Sequence, residues 1–354
     1  MAEGEQVMTI ELTEAASRAA PATQPRTLEQ IITLQLETLQ AHHRAVLETD
    51  DPEAIHKMRV TTRRLQASLD LLEHELHAHK LKGRLREWRR MLSLVRNYDV
   101  FLTLIDKEAA AHRPSQREQY ELVKAILHKR RERRAAKVRR YMQEVNVGRI
   151  ASKLGLTITQ PPSEAGERAG ADTPDVVKEP VTEPVAGKRF TLDEGRIAAR
   201  MAERLEQRLA EFQALAAQSH PSTKAGDLHQ LRIAAKRVRY LLEIISELGY
   251  GDASRALGWL RTLQDRIGDW HDLEALEEEI IDIVSRRRFM KEHLPESSRM
   301  LQAAAHLQNK KESLVSKLFP VQIPRTLPLT AQRMTKALRR HALRAPGRKP
   351  RPVD

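Results

Sequence analysis

The chain has 354 residues, 40% of them hydrophobic, with no cysteine and a formal charge of +13 from 61 Lys and Arg against 48 Asp and Glu. That length and apolar content suffice for two folded units, while the lack of thiols excludes disulfides, thiolate metal sites and cysteine nucleophiles and fits a reducing, cytoplasmic setting. The positive balance points to a polyanionic partner, because a summed positive field raises the local concentration and on-rate of anions; aromatic residues, at 4%, are too few for a protein that stacks unpaired bases.

Residues 1–26 are expected to be a disordered leader, acidic where a secretory signal would need a basic and then an apolar stretch. No apolar run approaches bilayer length, so no membrane partner is expected. Helical periodicity then takes over, and the fold class is all-α. Residues 27–159 predict a first four-helix bundle, with helices over about Thr27 to Glu48, Asp51 to His77, Lys82 to His112 and Ser115 to Val145, punctuated at Asp51-Pro52 and Pro114-Ser115. Residues 160–190 turn to Pro, Glu, Gly and Thr, a composition that cannot bury enough apolar surface to offset its ordering entropy, and read as a linker. Residues 191–319 predict a second bundle, with helices over about Leu192 to Gln218, Ser222 to Leu248, Asp252 to Arg288 and Pro295 to Leu318. Residues 320–354 read as a basic tail, either an electrostatic arm or a solubilising end.

The two halves repeat each other. HKMRVTTRRLQASLDLLE, from His56, superposes without a gap on HQLRIAAKRVRYLLEIIS, from His229, at an offset of 173: His56 meets His229, Arg59 meets Arg232, Arg63 meets Lys236 and Arg64 meets Arg237. LREWRRMLSLVRNYD from Leu85 matches LRTLQDRIGDWHDLE from Leu260 at an offset of 175. Two tandem four-helix units is the economical reading.

At roughly 100° per residue, His56, Arg59 and Arg63 share one face, with Met58, Leu65, Leu69 and Leu72 opposite; His229, Arg232, Lys236 and Arg239 share the corresponding face of the second copy. Lys57, Arg64 and Arg237 flank these stripes. The apolar sides belong in two separate bundle cores, which leaves the basic sides for a ligand. A rise of about 1.5 Å per residue sets Arg59 and Arg63 about 6 Å apart along the axis, so adjacent guanidinium forks can grip successive phosphates of an extended polymer. A single polar stripe is the ordinary solvated side of a helix. A nearly pure basic stripe that recurs in register, each time behind a histidine, favours a binding site. HKRRERRAAKVRR, from His128, adds Lys129, Arg131 and Arg134 as candidates, and Arg96 joins from the third helix. The ladder Arg196, Arg200, Arg204, Arg208 reads as structural, because Glu203, Glu206 and Glu211 lie close enough to neutralise it.

Enzyme signals are thin. HELHAH, from His74, lacks the spacing that sets two imidazoles on one helical face around a metal. Asp99, Asp106, Asp265, Asp269 and Asp272 are candidates to hold a divalent cation, but such carboxylates more often brace neighbouring cations. The chain carries no Walker loop, no GxSxG elbow and no GxGxxG. No catalytic centre, metal or cofactor is expected.

At the repeated motifs the chain resembles the CHAD family, the conserved-histidine α-helical domain, whose opening reads like H-x-x-R-V-x-x-R-R-L-R. His56, Arg59, Val60, Arg63, Arg64 and Leu65 fit it, with Gln66 where Arg is usual; His229, Arg232, Ile233, Lys236, Arg237 and Arg239 follow the family form more closely, and IGDWHD resembles the family's LGDxND. The resemblance implies two antiparallel four-helix bundles related by pseudo-two-fold symmetry, with basic faces meeting at a central groove or pore. It also implies binding of inorganic polyphosphate, often at polyphosphate granules. A nucleic-acid backbone binder is the alternative, and a metal-dependent phosphohydrolase on Asp269 and Asp272 a third. Gln66 opposite Arg239, and Asn97 opposite Asp272, suggest tighter binding by the second half.

Overall fold

A computed structural model describes residues 25–72, 79–111, 114–154, 193–220 and 225–344. Residues 1–24 of the expected leader, the linker and most of HELHAH lie outside the described residues. The described residues form helices and no strand: α1 (Leu28–Glu48), α2 (Pro52–Leu71), α3 (His79–Ala111), α4 (Pro114–Gln143), α5 (Gly148–Lys153), α6 (Glu194–Gln218), α7 (Ala225–Glu247), α8 (Ser254–Ser285), α9 (Arg287–Glu292), α10 (Leu294–Leu318) and α11 (Thr326–Arg344). Helix starts follow local chemistry. Thr27 and Gln30 form a reciprocal capping box on α1, and Asp51 accepts from the Glu53 amide at 2.9 Å with Pro52 in the first turn of α2, satisfying amides that have no intrahelical partner. The helix expected to run to Arg288 breaks at Arg286.

The repeat is visible in the packing. Within each half the chain runs α1–α2–α3–α4 and α6–α7–α8–α10 through neighbouring pairs, and across the halves α2 meets α7, α3 meets α8 and α4 meets α10. These cross-contacts pair helices at equivalent places in the repeat.

The two halves do not keep separate cores, contrary to expectation. One apolar cluster joins α1, α2 and the leading part of α3 to α6, α7, the leading part of α8 and α11. A second is built from Phe101 and Ile105 of α3, Tyr120 and Leu127 of α4, Leu276 and Ile280 of α8, and Met300 and Leu307 of α10. The cause is length. With 33 and 32 residues, α3 and α8 reach about 50 Å and overrun α2 and α7, so their far ends bury apolar surface mainly against each other and against α4 and α10. Polar ties reinforce this lobe: Tyr98 donates to Glu279 at 2.9 Å, Arg130 pairs with Glu279 and with Asp282 at 3.2 Å, and Lys310 pairs with the buried Glu108.

The expected basic tail contains a core helix. In α11, Leu327, Ala331, Met334 and Leu338 are buried, against α6 and α8, at a spacing of four, three and four residues that the many arginines obscure in the sequence. It closes the second half, much as the buried Val138 and Met142 late in α4 join the same cluster from the first. Among the described residues no helix is long and apolar enough to cross a membrane.

Candidate functional site

The histidine-bearing faces of α2 and α7 open onto one cleft between the halves, of about 720 Å³. The first half contributes His56, Arg59 and Arg63 from α2 with Arg89 and Arg96 from α3; the second contributes Arg208 from α6, His229, Arg232, Lys236 and Arg237 from α7, and His271 from α8. Each half thus supplies four Arg or Lys side chains. The carboxylates that line the cleft are Asp70 and Asp272, and Asp70 is held 3.1 Å from the Lys82 ammonium.

Such crowding of like charge in a part-buried space costs free energy, and the titration of the groups records it. Burial, then Arg63, Arg96, Arg89 and Arg232, push the Arg59 guanidinium down to about 9. Burial and then Arg63, Arg232, Arg239 and Arg59 push the Lys236 ammonium down to about 6. His271 falls to about 4, from burial and then Arg232, His229 and Lys236. Burial also lowers His56, with Arg96 the next contributor, and raises Asp272 against the pull of Arg232 and Arg96. The Nε atoms of Arg59 and Arg232 are buried with no hydrogen-bond partner. Unpaired buried donors and mutual repulsion are both relieved by an incoming anion with many acceptor oxygens.

Of the residues expected at the site, the structure brings His56, Arg59, Arg63, Arg96, His229, Arg232, Lys236 and Arg237 to the cleft. Lys57 and Lys129 are exposed elsewhere. Arg64 lies 3.8 Å from Glu243. Arg239 stands 3.6 Å from the same carboxylate with its guanidinium over the Tyr240 ring. Arg131 is structural: its Nε donates to Asp99 at 2.6 Å and its Nη1 to Asp50 at 3.2 Å. Arg134 borders a neighbouring pocket that carries Glu278, Glu279 and Asp282. The expected advantage of the second half loses one of its two premises, the pairing of Gln66 with Arg239, while Asn97 and Asp272 both line the cleft. Gln66 lines the cleft while its counterpart Arg239 does not, and the Gln66 carbonyl accepts from Arg89 Nη1 at 2.7 Å, holding that arginine there.

Sequence reasoning missed Arg89, Arg208, Tyr240 and His271. Arg89 stands two turns before Arg96 on one face of α3, and His271 is the offset-175 counterpart of Arg96, so both had a signal. The ladder on α6 has a different use from the one expected. Arg200 donates to the Leu71 carbonyl at 2.7 Å and Arg204 to that of Asp70, capping the last turn of α2 from the other half. Arg208, one turn on, reaches the cleft.

An all-helical protein with a duplicated histidine helix and a shared basic cleft defines the class. The CHAD domain model matches residues 30–280, and the chain belongs to the CHAD domain family. The structure is similar to the CHAD domain from the plant Ricinus communis, at 21% identity and TM-score 0.56 over 91% of this chain and 94% of that one. It is also similar to PptA from Streptomyces chartreusis, at 15% identity and TM-score 0.52 over 88% and 97%. No curated protein matches the chain.

Proposed function

We propose that this protein binds inorganic polyphosphate in the cleft, as a binding protein and not as an enzyme, and that attachment to the polymer holds it at polyphosphate granules. The observation that carries the reading is the convergence of eight Arg and Lys side chains from both halves on one cleft with two carboxylates. A bare phosphate chain carries a negative charge and acceptor oxygens at every unit and has no bulk beyond its backbone, so it fits a concave site. A duplex presents its phosphates on the outside of a broad cylinder and would need a wider, more open basic face.

Three of the five carboxylates considered for a divalent cation are engaged with cations. Asp99 pairs with Arg131 at 2.6 Å, Asp106 with Lys124 at 2.6 Å, and Asp272 faces Arg232, Arg96 and Lys236. That use supports binding over hydrolysis.

The test is a competition titration with long-chain polyphosphate and duplex DNA at equal phosphate concentration, repeated across salt. Retention of polyphosphate is expected. With four to six phosphates neutralised, log affinity falls against log salt with a slope of about −3 to −4. Displacement by DNA would transfer the cleft to nucleic acid, and a flat salt response would contradict an electrostatic site.

A further inference from the structure

We propose that Lys236 is a site of covalent acylation by acyl phosphates, the arginines around it holding the phosphate group while the lysine amine takes the acyl group. The site needs the cleft but not the polymer, so it stands or falls apart from the polyphosphate reading.

Of the eight Arg and Lys side chains that line the cleft, Lys236 is the one amine. Its counterpart in the repeat is Arg63, a guanidinium whose delocalised charge leaves no free lone pair for attack. The feature is therefore particular to the second half. Arg59 and Arg63 on α2 and Arg232 and Arg239 on α7 surround the Lys236 ammonium, and His271 and Asp272 face it from α8. Among the described residues it has no ion-pair partner.

Four guanidiniums against one carboxylate disfavour a fifth positive charge in a part-buried cleft. The amine is thus largely free at neutral pH, in keeping with its depression to about 6. The free amine is the nucleophilic form. An exposed lysine, near the ordinary 10.5, presents only about 0.03% of it at pH 7.

The arginines meet the second requirement. Guanidinium forks bind phosphate oxygens bidentately, so they draw a small acyl phosphate to the amine and hold it there, which makes the attack effectively unimolecular. The two negative charges of such a reagent offset only part of the four guanidinium charges, and the amine stays in its free form. In the step, the Nζ lone pair attacks the acyl carbon and forms a C–N bond. The bond from that carbon to the phosphate oxygen breaks, inorganic phosphate departs with the electron pair, and the nitrogen sheds one proton to solvent. The product is a neutral amide. The cleft then lacks a group that a bound polyanion would otherwise charge, and its hold on the polymer weakens.

The experiment incubates the full chain with acetyl phosphate and follows acetylation site by site with peptide mass spectrometry. At pH 7, Lys236 is expected to react at least about tenfold faster than the exposed Lys57 and Lys129. Between pH 7 and pH 9 those two should speed up about 100-fold, and Lys236 less than about twofold. Excess inorganic phosphate should slow Lys236 and leave Lys57 unchanged. A rate for Lys236 that matches the exposed lysines, or climbs with pH as theirs do, would overturn the proposal, as would indifference to inorganic phosphate. After acetyl phosphate treatment the unmodified protein should lose at least about fivefold in polyphosphate affinity, while Lys236→Arg, treated alike, keeps its own within about twofold. Equal losses would overturn the link between acylation and binding. Absence of polymer binding by both untreated proteins would remove the polyphosphate reading and leave the modification site standing.

Discussion

At the scale of single residues, Lys236 carries the clearest consequence. Its ammonium titrates at about 6 in the free protein, whereas a bound polyanion favours the charged form and raises that value. Binding therefore takes up a proton between the two values, about 0.9 proton at pH 7, and affinity grows as pH falls from 8 toward 6. Calorimetry in two buffers of different ionisation enthalpy measures the uptake; Lys236→Met should remove most of it, and zero uptake in the unmodified protein would contradict the assignment. Stability has the opposite pH trend without ligand. The unfolded lysine, near its ordinary value of 10.5, binds more protons than the folded one across the window from about 6 upward. The ligand-free fold thus gains stability as pH rises, and loses it as pH falls through about 6. A thermal midpoint higher at pH 8.5 than at pH 6 is expected, with the gap narrowed by polyphosphate. The paired histidine stripes were legible because a repeat displays its shared chemistry. Arg208 was not, because its route to the cleft depends on where α6 packs and not on any local pattern.

At the scale of elements, the α11 and α4 helices separate stability from binding. Leu338 is fully buried in α11, and Leu338→Ala should cost about 2–5 kcal/mol in urea unfolding, whereas Arg340→Ala on the exposed face should cost little. Equal effects would mean that α11 is not docked as described. Arg131→Leu strands the buried Asp99 carboxylate and should cost about 3–5 kcal/mol while leaving polyphosphate affinity within a few fold of normal. A large affinity loss with unchanged stability would return Arg131 to the binding site. Eight of the helices were legible from apolar spacing with Pro and Asp punctuation. The eleventh was not, since Leu327, Ala331, Met334 and Leu338 are scattered among basic residues whose composition suggested a tail. The basic run on α4 misled for the reverse reason. Its charges look free in sequence, yet Arg130 and Arg131 are spent on Glu279, Asp282, Asp99 and Asp50.

At the scale of the molecule, the halves are joined by apolar clusters that each draw on both copies, and by Arg200 and Arg204 capping α2 across the interface. That union holds two repelling basic faces together, and the cleft exists only because the packing outweighs the repulsion. The duplication was legible, but the sharing of cores was not, because periodicity gives each helix a buried side without naming the partner that covers it. The central claim is that the convergent cleft, and not basic surface at large, holds the polymer. It is tested most directly by comparing polyphosphate affinity, at one fixed salt, for two double substitutions that each replace two basic side chains with glutamate. Arg63→Glu with Lys236→Glu should weaken binding at least about 100-fold, and Arg333→Glu with Arg340→Glu on α11 less than about threefold. Equal losses from the two pairs would contradict the account.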